Sequence, residues 1–241
     1  MLHVKVDATN STNQLAKGIN YDKKYDMFCV STDYQSNGRG QKESKWVSEK
    51  SKNLMLTIVF NNLGLEIENK FILNILVCLK IHEVLETFKL DNLVLKWPND
   101  ILAENKKIGG VLIENTISNN LIQSTYIGIG LNVNQEKFPG LPQAGSLKNL
   151  LRRNINRDGL LKSLINNFKD FTGILNHINH SVLFEKYKYI LLGYNKKNLF
   201  VYEDKEIYGT ITDVRTDGSL VISFTDATQE VFQFKEISQV F

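Results

Sequence analysis

The sequence predicts an α+β protein: a mixed, mostly antiparallel sheet with helices, followed by a small C-terminal β unit. Three features carry this. Short alternating apolar segments joined by brief polar turns crowd residues 93–134, one long helical segment with a wide apolar face lies at 67–88, and four or five short strands follow Asn198. With 241 residues, 42% hydrophobic and only 3 Pro, the chain can bury a large core and hold one large domain, or a large and a small one. Its character changes at Gly193-Tyr194-Asn195-Lys196, which sets the expected boundary between a unit over 1–192 and a small barrel or curled sheet over 193–241.

LHVKVDA alternates apolar and polar residues and reads as a strand. Ser11 and Gln14 have capping-box spacing at the start of a short helix that Gly18 can end. MFCVST and NLMLTIVF are the next strands. Between them SNGRGQKESK, residues 36–45, contains no apolar side chain, two glycines and three basic residues. It is either a slack polar loop or one that closes over an anionic ligand. IENKFILNILVCLKIHEVLETF is a helix buried against the sheet. LVLKW, DILAE, KIGGVLIEN and LIQSTYIGIGLNVN are strands, the last three joined as antiparallel hairpins through Asn105-Lys106 and Ser118-Asn119-Asn120. Helices are expected at about 158–176 and 181–191, then LFVYED, EIYGTITDV, SLVISFT and EVFQFKEI as the C-terminal strands.

Several function classes are disfavoured. The formal charge of +3 is spread over 29 basic and 26 acidic residues with no basic run beyond a pair, so nucleic-acid binding is not expected. Cys29 and Cys78 sit in apolar runs without CxxC spacing, which predicts buried reduced thiols and suits a reducing cytoplasm. The N-terminus has no secretory pattern, and FILNILVCL is too short to span a bilayer. His3, His82, His177 and His180 lack metal-ligand spacing, and no GxSxG, HExxH or Walker A string occurs.

Three strings stand out. In KWPND, Pro98 forces an extended Trp97 and leaves Asn99 and Asp100 in a turn. This is either a plain β-turn with a packed Trp or a Lys96–Asp100 pair suited to a phosphate and its metal ion. In KKIGGVLIE, Gly109 and Gly110 interrupt a strand, marking either a bulge or a ligand lying against the backbone with Lys107 at its anionic end. In GIGLNVN, Gly128, Gly130 and Asn132 share a face, a flat strip ending in an amide that reads either a flat ring such as adenine or an ordinary strand contact.

Taken in order, STNQLA, YQSNGRGQ, KWPND, KKIGGVLIE and GIGLNVN resemble the biotin protein ligases over nearly the whole chain. The short segment before STN resembles members without a winged-helix DNA-binding domain. The resemblance implies a class II synthetase-like biotin/lipoate ligase fold with a C-terminal SH3-like β-barrel. It implies biotin and ATP as substrates with Mg²⁺, biotinyl-5′-AMP as intermediate, and transfer to a lysine of the biotin carboxyl carrier domain of acetyl-CoA carboxylase or another biotin-dependent carboxylase. Neither nucleic acid nor membrane is implied as a partner; a homodimer through sheet edges occurs in the family. Residue by residue, it implies Ser11, Thr12, Asn13 and Gln35 on the biotin ureido side with the Gly38–Gly40 backbone, and Arg39 facing the biotin carboxylate and phosphates. Lys107 would bind that carboxylate and the α-phosphate, with Gly109 and Gly110 beneath biotin. Asn132 would touch adenine, Trp46 would pack near the nucleotide, and Lys96 and Asp100 would lie by the phosphates and Mg²⁺. Asp100 is the expected metal ligand and the candidate proton acceptor in the transfer step. The chain departs from its relatives at Gln41 and Glu43, where Arg and Gly are common, with Lys42 and Lys45 as compensating cations. Lipoate or octanoate transfer, or biotin binding without catalysis, are the alternatives.

Overall fold

The computed structural model describes residues 2–41 and 44–241 and contains two sheets. The larger is formed by β1 (Leu2–Val6), β2 (Met27–Thr32), β3 (Leu54–Glu66), β4 (Val94–Lys96), β5 (Asp100–Ala103), β6 (Lys106–Ser118) and β7 (Leu121–Leu131). Its order is β1-β2-β3-β7-β6-β5-β4. Only the β1/β2 pair is parallel; the others are antiparallel. Helix α1 (Thr12–Ile19) packs Ala16 with Phe28, Val30 and Tyr126 on one face. Helix α2 (Lys70–Glu86) packs on the other, its Phe71, Leu73, Ile75, Val77 and Ile81 all buried. Being apolar nearly all round, α2 is covered on both sides, as expected of a core helix.

The single helix expected over 158–176 is two, α4 (Arg157–Asn167) and α5 (Phe171–His177). The chain turns between them so that Phe168 and Phe171 both enter the core, stacked with centroids 5.4 Å apart. α3 (Leu147–Leu151), which the sequence pattern did not reveal, is nucleated by a capping box between Ser146 and Asn149. α6 (His180–Tyr189) completes the layer. Among the described residues no helix is long and apolar enough to cross a membrane.

The second sheet contains β8 (Lys197–Tyr202), β9 (Lys205–Val214), β10 (Leu220–Phe224), β11 (Gln229–Phe232) and β12 (Ser238–Gln239), in the order β11-β10-β9-β8-β12. The expected SH3-like barrel is not formed. Closure requires the two edge strands to hydrogen-bond to each other with a fixed stagger, and the edges here are four and two residues long and unpaired with one another. Burial instead comes from the larger unit: Phe234 packs on Trp97 and Phe71, at 5.2 and 5.9 Å between centroids. Phe200, Ile211, Leu220 and Phe232 belong to the same continuous core as Leu56, Ile58 and Leu76.

Candidate functional site

Strand register assembles the site. Lys96 pairs with Asp100, Asp100 with Gly110, Gly110 with Gly130, and Gly130 with Met55. Residues directly opposite in paired strands point to the same face, so this row presents two charged side chains, two bare backbone positions and a thioether to one side. All five line a cleft of about 410 Å³, a size ordinary for a small-molecule site.

Lys107 reaches this face because of a bulge. Ile101 pairs with Gly109 but Leu102 pairs with Lys107, so Ile108 is an extra residue on β6. Alternation alone would put Lys107 on the side of Gly109; the bulge reverses it. Its Nζ then lies 2.6 Å from Asp100 Oδ1, and Ile108 is buried in the core. The bulge reading of the glycine pair is met, and the two glycines face opposite sides of the sheet. Gly110 opens onto the cleft, whereas Gly109 faces the core, where a Cβ would come within 2.4 Å of Leu131 Cδ2.

Lys96 is half-buried among these charges. Burial pushes its ammonium below the ordinary lysine value, the nearby Asp100 carboxylate opposes this, and Lys107 adds to it. Its Nζ lies 4.5 Å from the ring centroid of Phe241. The KWPND turn carries a cis Trp97–Pro98 bond and is braced from three sides. Trp97 Nε1 donates to Gly218 O at 2.9 Å, Asn74 Nδ2 donates to Pro98 O at 2.9 Å, and Asn99 Nδ2 donates to Val111 O.

The opposite end of the cleft is polar. Ser11, Thr12 and Asn13 are buried at the start of α1. The expected capping box is absent: Ser11 occupies the N-cap position, but its hydroxyl makes no cap bond and lines the cleft. Thr12 N and Oγ1 both donate to Gln35 Oε1, at 2.7 and 3.1 Å, which fixes the amide. Gly38 is needed beside it, since a Cβ there would meet Trp46 O at 2.4 Å and Gln35 Nε2 at 3.0 Å. Asn13 is fully engaged within the protein: Nδ2 donates to Glu114 Oε2 at 2.7 Å and Leu112 O at 3.3 Å, while Oδ1 accepts from Thr57 Oγ1 at 2.6 Å.

The polar loop is a hairpin over its described residues. Trp46 N donates to Gly38 O at 2.9 Å and Gly40 N to Ser44 O at 2.7 Å, and Arg39 bridges Lys45. Lys42 and Glu43 lie outside the described residues. Gln41 O accepts from Lys235 Nζ at 2.9 Å. The expected flat strip is covered by the chain itself. Asn13 fills the space above Gly128, where a Cβ would lie 2.6 Å from its Oδ1, and the Trp46 indole fills that above Gly130, at 2.6 Å. Asn132 follows the end of β7, is buried, and donates through Nδ2 to Lys107 O at 3.4 Å.

The cleft thus gathers Ser11, Thr12, Asn13, Gln35, Arg39, Gly40, Trp46, Lys96, Asp100, Lys107 and Gly110, while Gly38, Gly109 and Asn132 stand behind its walls. Sequence reasoning missed Glu114, which also pairs with Lys17 at 2.8 Å and Arg39 at 3.4 Å. Burial pushes this carboxyl up, but hydrogen bonds from Lys17 and Asn13 and the charges of Lys17 and Arg39 outweigh it, leaving it below the ordinary carboxylate value. Counting by twos from Gly110 along β6 would have found it. Ser238 and Gln239 of β12 and Lys235 in the turn before it left no such signal. Among the described residues no three His, Cys, Asp or Glu side chains gather as a metal cluster. One carboxylate beside Lys96 and Lys107 is a donor set that would suit Mg²⁺ only if other oxygens, such as a nucleotide's phosphates, supplied the remaining ligands.

Known proteins are similar to this chain in sequence and in fold. The chain is similar to the bifunctional ligase/repressor BirA of Bacillus spizizenii, 27% identical over 163 residues covering 66% of this chain and 50% of that protein. The Bacillus subtilis protein of the same name is 24% identical over 233 residues, covering 94% and 70%. The chain thus spans about half the length of the first relative. The fold matches a biotin protein ligase from Aquifex aeolicus solved in complex with biotin and ATP, with TM-score 0.80 and 23% identity over 99% of this chain and 98% of that one. A family model described as biotin/lipoate A/B protein ligase matches residues 6–132, just over half of the sequence, with Arg39, Lys96, Asp100 and Lys107 inside the match, so the chain belongs to that family.

Proposed function

We propose that this protein activates biotin with ATP to biotinyl-5′-AMP and transfers the biotin to a lysine of a biotin carboxyl carrier domain, in the cytoplasm. Residues 1–192 serve as the catalytic unit and 193–241 as a β unit that walls the cleft. One observation carries the reading: Arg39, Lys96 and Lys107 converge with Asp100 on one cleft whose far end holds Ser11, Thr12 and a fixed Gln35 amide.

In the first step a biotin carboxylate oxygen attacks the α-phosphorus, and the bond to the β-phosphate oxygen breaks as pyrophosphate leaves. The carboxylate is already ionised at pH 7, so the step needs in-line positioning and charge neutralisation rather than a base. Arg39 suits two anionic oxygens, being planar with several donors; Lys107 and Lys96 act as point charges. Asp100 would hold a nucleotide-borne Mg²⁺, which would supply further charge neutralisation. Ser11, Thr12 and Gln35 hydrogen-bond the ureido ring over Gly110, and Asn13, Gly38 and Gly109 shape these positions from behind. Trp46 packs by the nucleotide, and Asn132 borders the adenine side.

In the second step a lysine amine attacks the acyl carbon and AMP leaves. An ordinary lysine has a pKa of about 10.4, so roughly one in a few thousand is neutral at pH 7, and a proton must be taken up. Asp100 is the only carboxylate among the described cleft-lining residues, so it, or a water it orients, accepts that proton. Asp100→Asn should slow transfer from preformed biotinyl-AMP; an unchanged rate removes Asp100 from this role. The whole reading is tested by incubating the protein with ATP, an apo carrier domain, and biotin, lipoate or octanoate in turn. Mass spectrometry should find biotin alone on the carrier lysine; preferential lipoate or octanoate attachment would replace the reading.

A further inference from the structure

We propose that Glu114 is the positioning residue for Arg39, holding one edge of the guanidinium so that the remaining donors face the ligand's anionic oxygens; this rests on the ligase reading above. Glu114 is itself immobilised. Asn13 and Lys17 hold its two oxygens at 2.7 and 2.8 Å from opposite sides, Asn13 is in turn held by Thr57 and Leu112 O, and the side chain is only 22% exposed. Arg39 rests on this fixed carboxylate through Nη2 alone, 3.4 Å from each oxygen.

The guanidinium has five N–H donors. Among the described residues a single-nitrogen contact with Glu114 is the guanidinium's side-chain pairing, and Arg39 also lines the cleft. Contacts of 3.4 Å are long for charge-assisted hydrogen bonds, so the pairing sets orientation without removing the donors that a carboxylate or phosphate needs. Lys17 gives Glu114 a second positive partner, so its charge stays compensated as Arg39 turns toward an anion. Gly128 belongs to the same device, because only a glycine leaves room for the Asn13 amide that anchors Glu114.

A double-mutant cycle reads this coupling directly. Biotin-dependent ATP–pyrophosphate exchange is measured for wild type, Glu114→Gln, Arg39→Ala and the double variant. Gln retains one oxygen for Asn13 but withdraws an acceptor from Lys17 as well as from Arg39, and the Arg39→Ala background separates the two losses. Glu114→Gln should slow exchange about tenfold in the native background and less than twofold when Arg39 is already Ala. An equal loss in both backgrounds, or no loss in the native one, overturns the inference. If the amide variant unfolds in a thermal melt, the same cycle with Glu114→Asp replaces it and is read the same way. A wild-type protein with no exchange would instead defeat the ligase reading, and this inference with it.

Discussion

Lys96, Asp100 and Lys107 divide the work of one charge cluster, and the division has a pH signature. Burial lowers the Lys96 pKa, so its ammonium is lost, as pH rises, earlier than an ordinary lysine's. The kcat/KM of adenylate formation, which reports the free enzyme, should fall on its alkaline side below the ordinary lysine range. Lys96→Arg should move that limb upward, because arginine stays charged; an unmoved limb would show that Lys96 does not set it. Arg39→Ala or Lys107→Ala should each cut adenylate formation by at least about 10²-fold, since each removes a partner of developing charge. Near-native pyrophosphate release would remove that residue from its role. KWPND and KKIGGVLIE announced most of this cluster, because Pro98 and the glycine pair are residues a plain strand avoids. What they did not disclose was that Lys107 shares the cleft face with Gly110, since that depends on the extra residue Ile108 in the register.

The β6–β7 hairpin and the loop across it show how strands make room for side chains rather than for ligand alone. Alternation made the Gly128–Gly130 strip legible, but not the Trp46 indole and Asn13 amide lying on it, because those come from segments far away in sequence. Trp46 Nε1 is buried without a partner among the described residues, a state that costs free energy and that a movement of the ring would relieve. Gly130→Ala, whose methyl would collide with the ring, should shift the tryptophan emission of the free protein and weaken biotin binding about tenfold by calorimetry. Unchanged emission and affinity would mean that Trp46 does not sit on the strip in solution. Ser11 is similarly instructive: its spacing to Gln14 suggested a cap, yet the hydroxyl faces the cleft instead. A helix start placed at a ligand site can forgo a cap that stability alone would favour.

The two sheets share one core, and the second supplies a wall of the cleft. The strands of the C-terminal unit were evident from alternation; its failure to close was not, because closure depends on what covers the edges. Phe234 and the Gly218 carbonyl turn toward Trp97, so the unit spends its apolar surface on the larger domain. Trp97→Phe keeps the ring contact with Phe234 but leaves Gly218 O without its donor. Denaturant unfolding should register a loss of about 1–3 kcal/mol, the usual cost of a buried group left unpaired. No loss would show that the indole N–H does not tie the units together. Cys29 and Cys78 meet the expectation of buried thiols, both pushed up to about 12 by burial.

The central claim is that the cation-lined cleft activates biotin on ATP. Exchange of labelled pyrophosphate into ATP by the purified protein tests it most directly, because the reaction needs neither carrier nor second step. Exchange should depend strictly on biotin and should not be supported by lipoate or octanoate. Absence of exchange with biotin, or exchange driven by the aliphatic acids instead, would contradict the account.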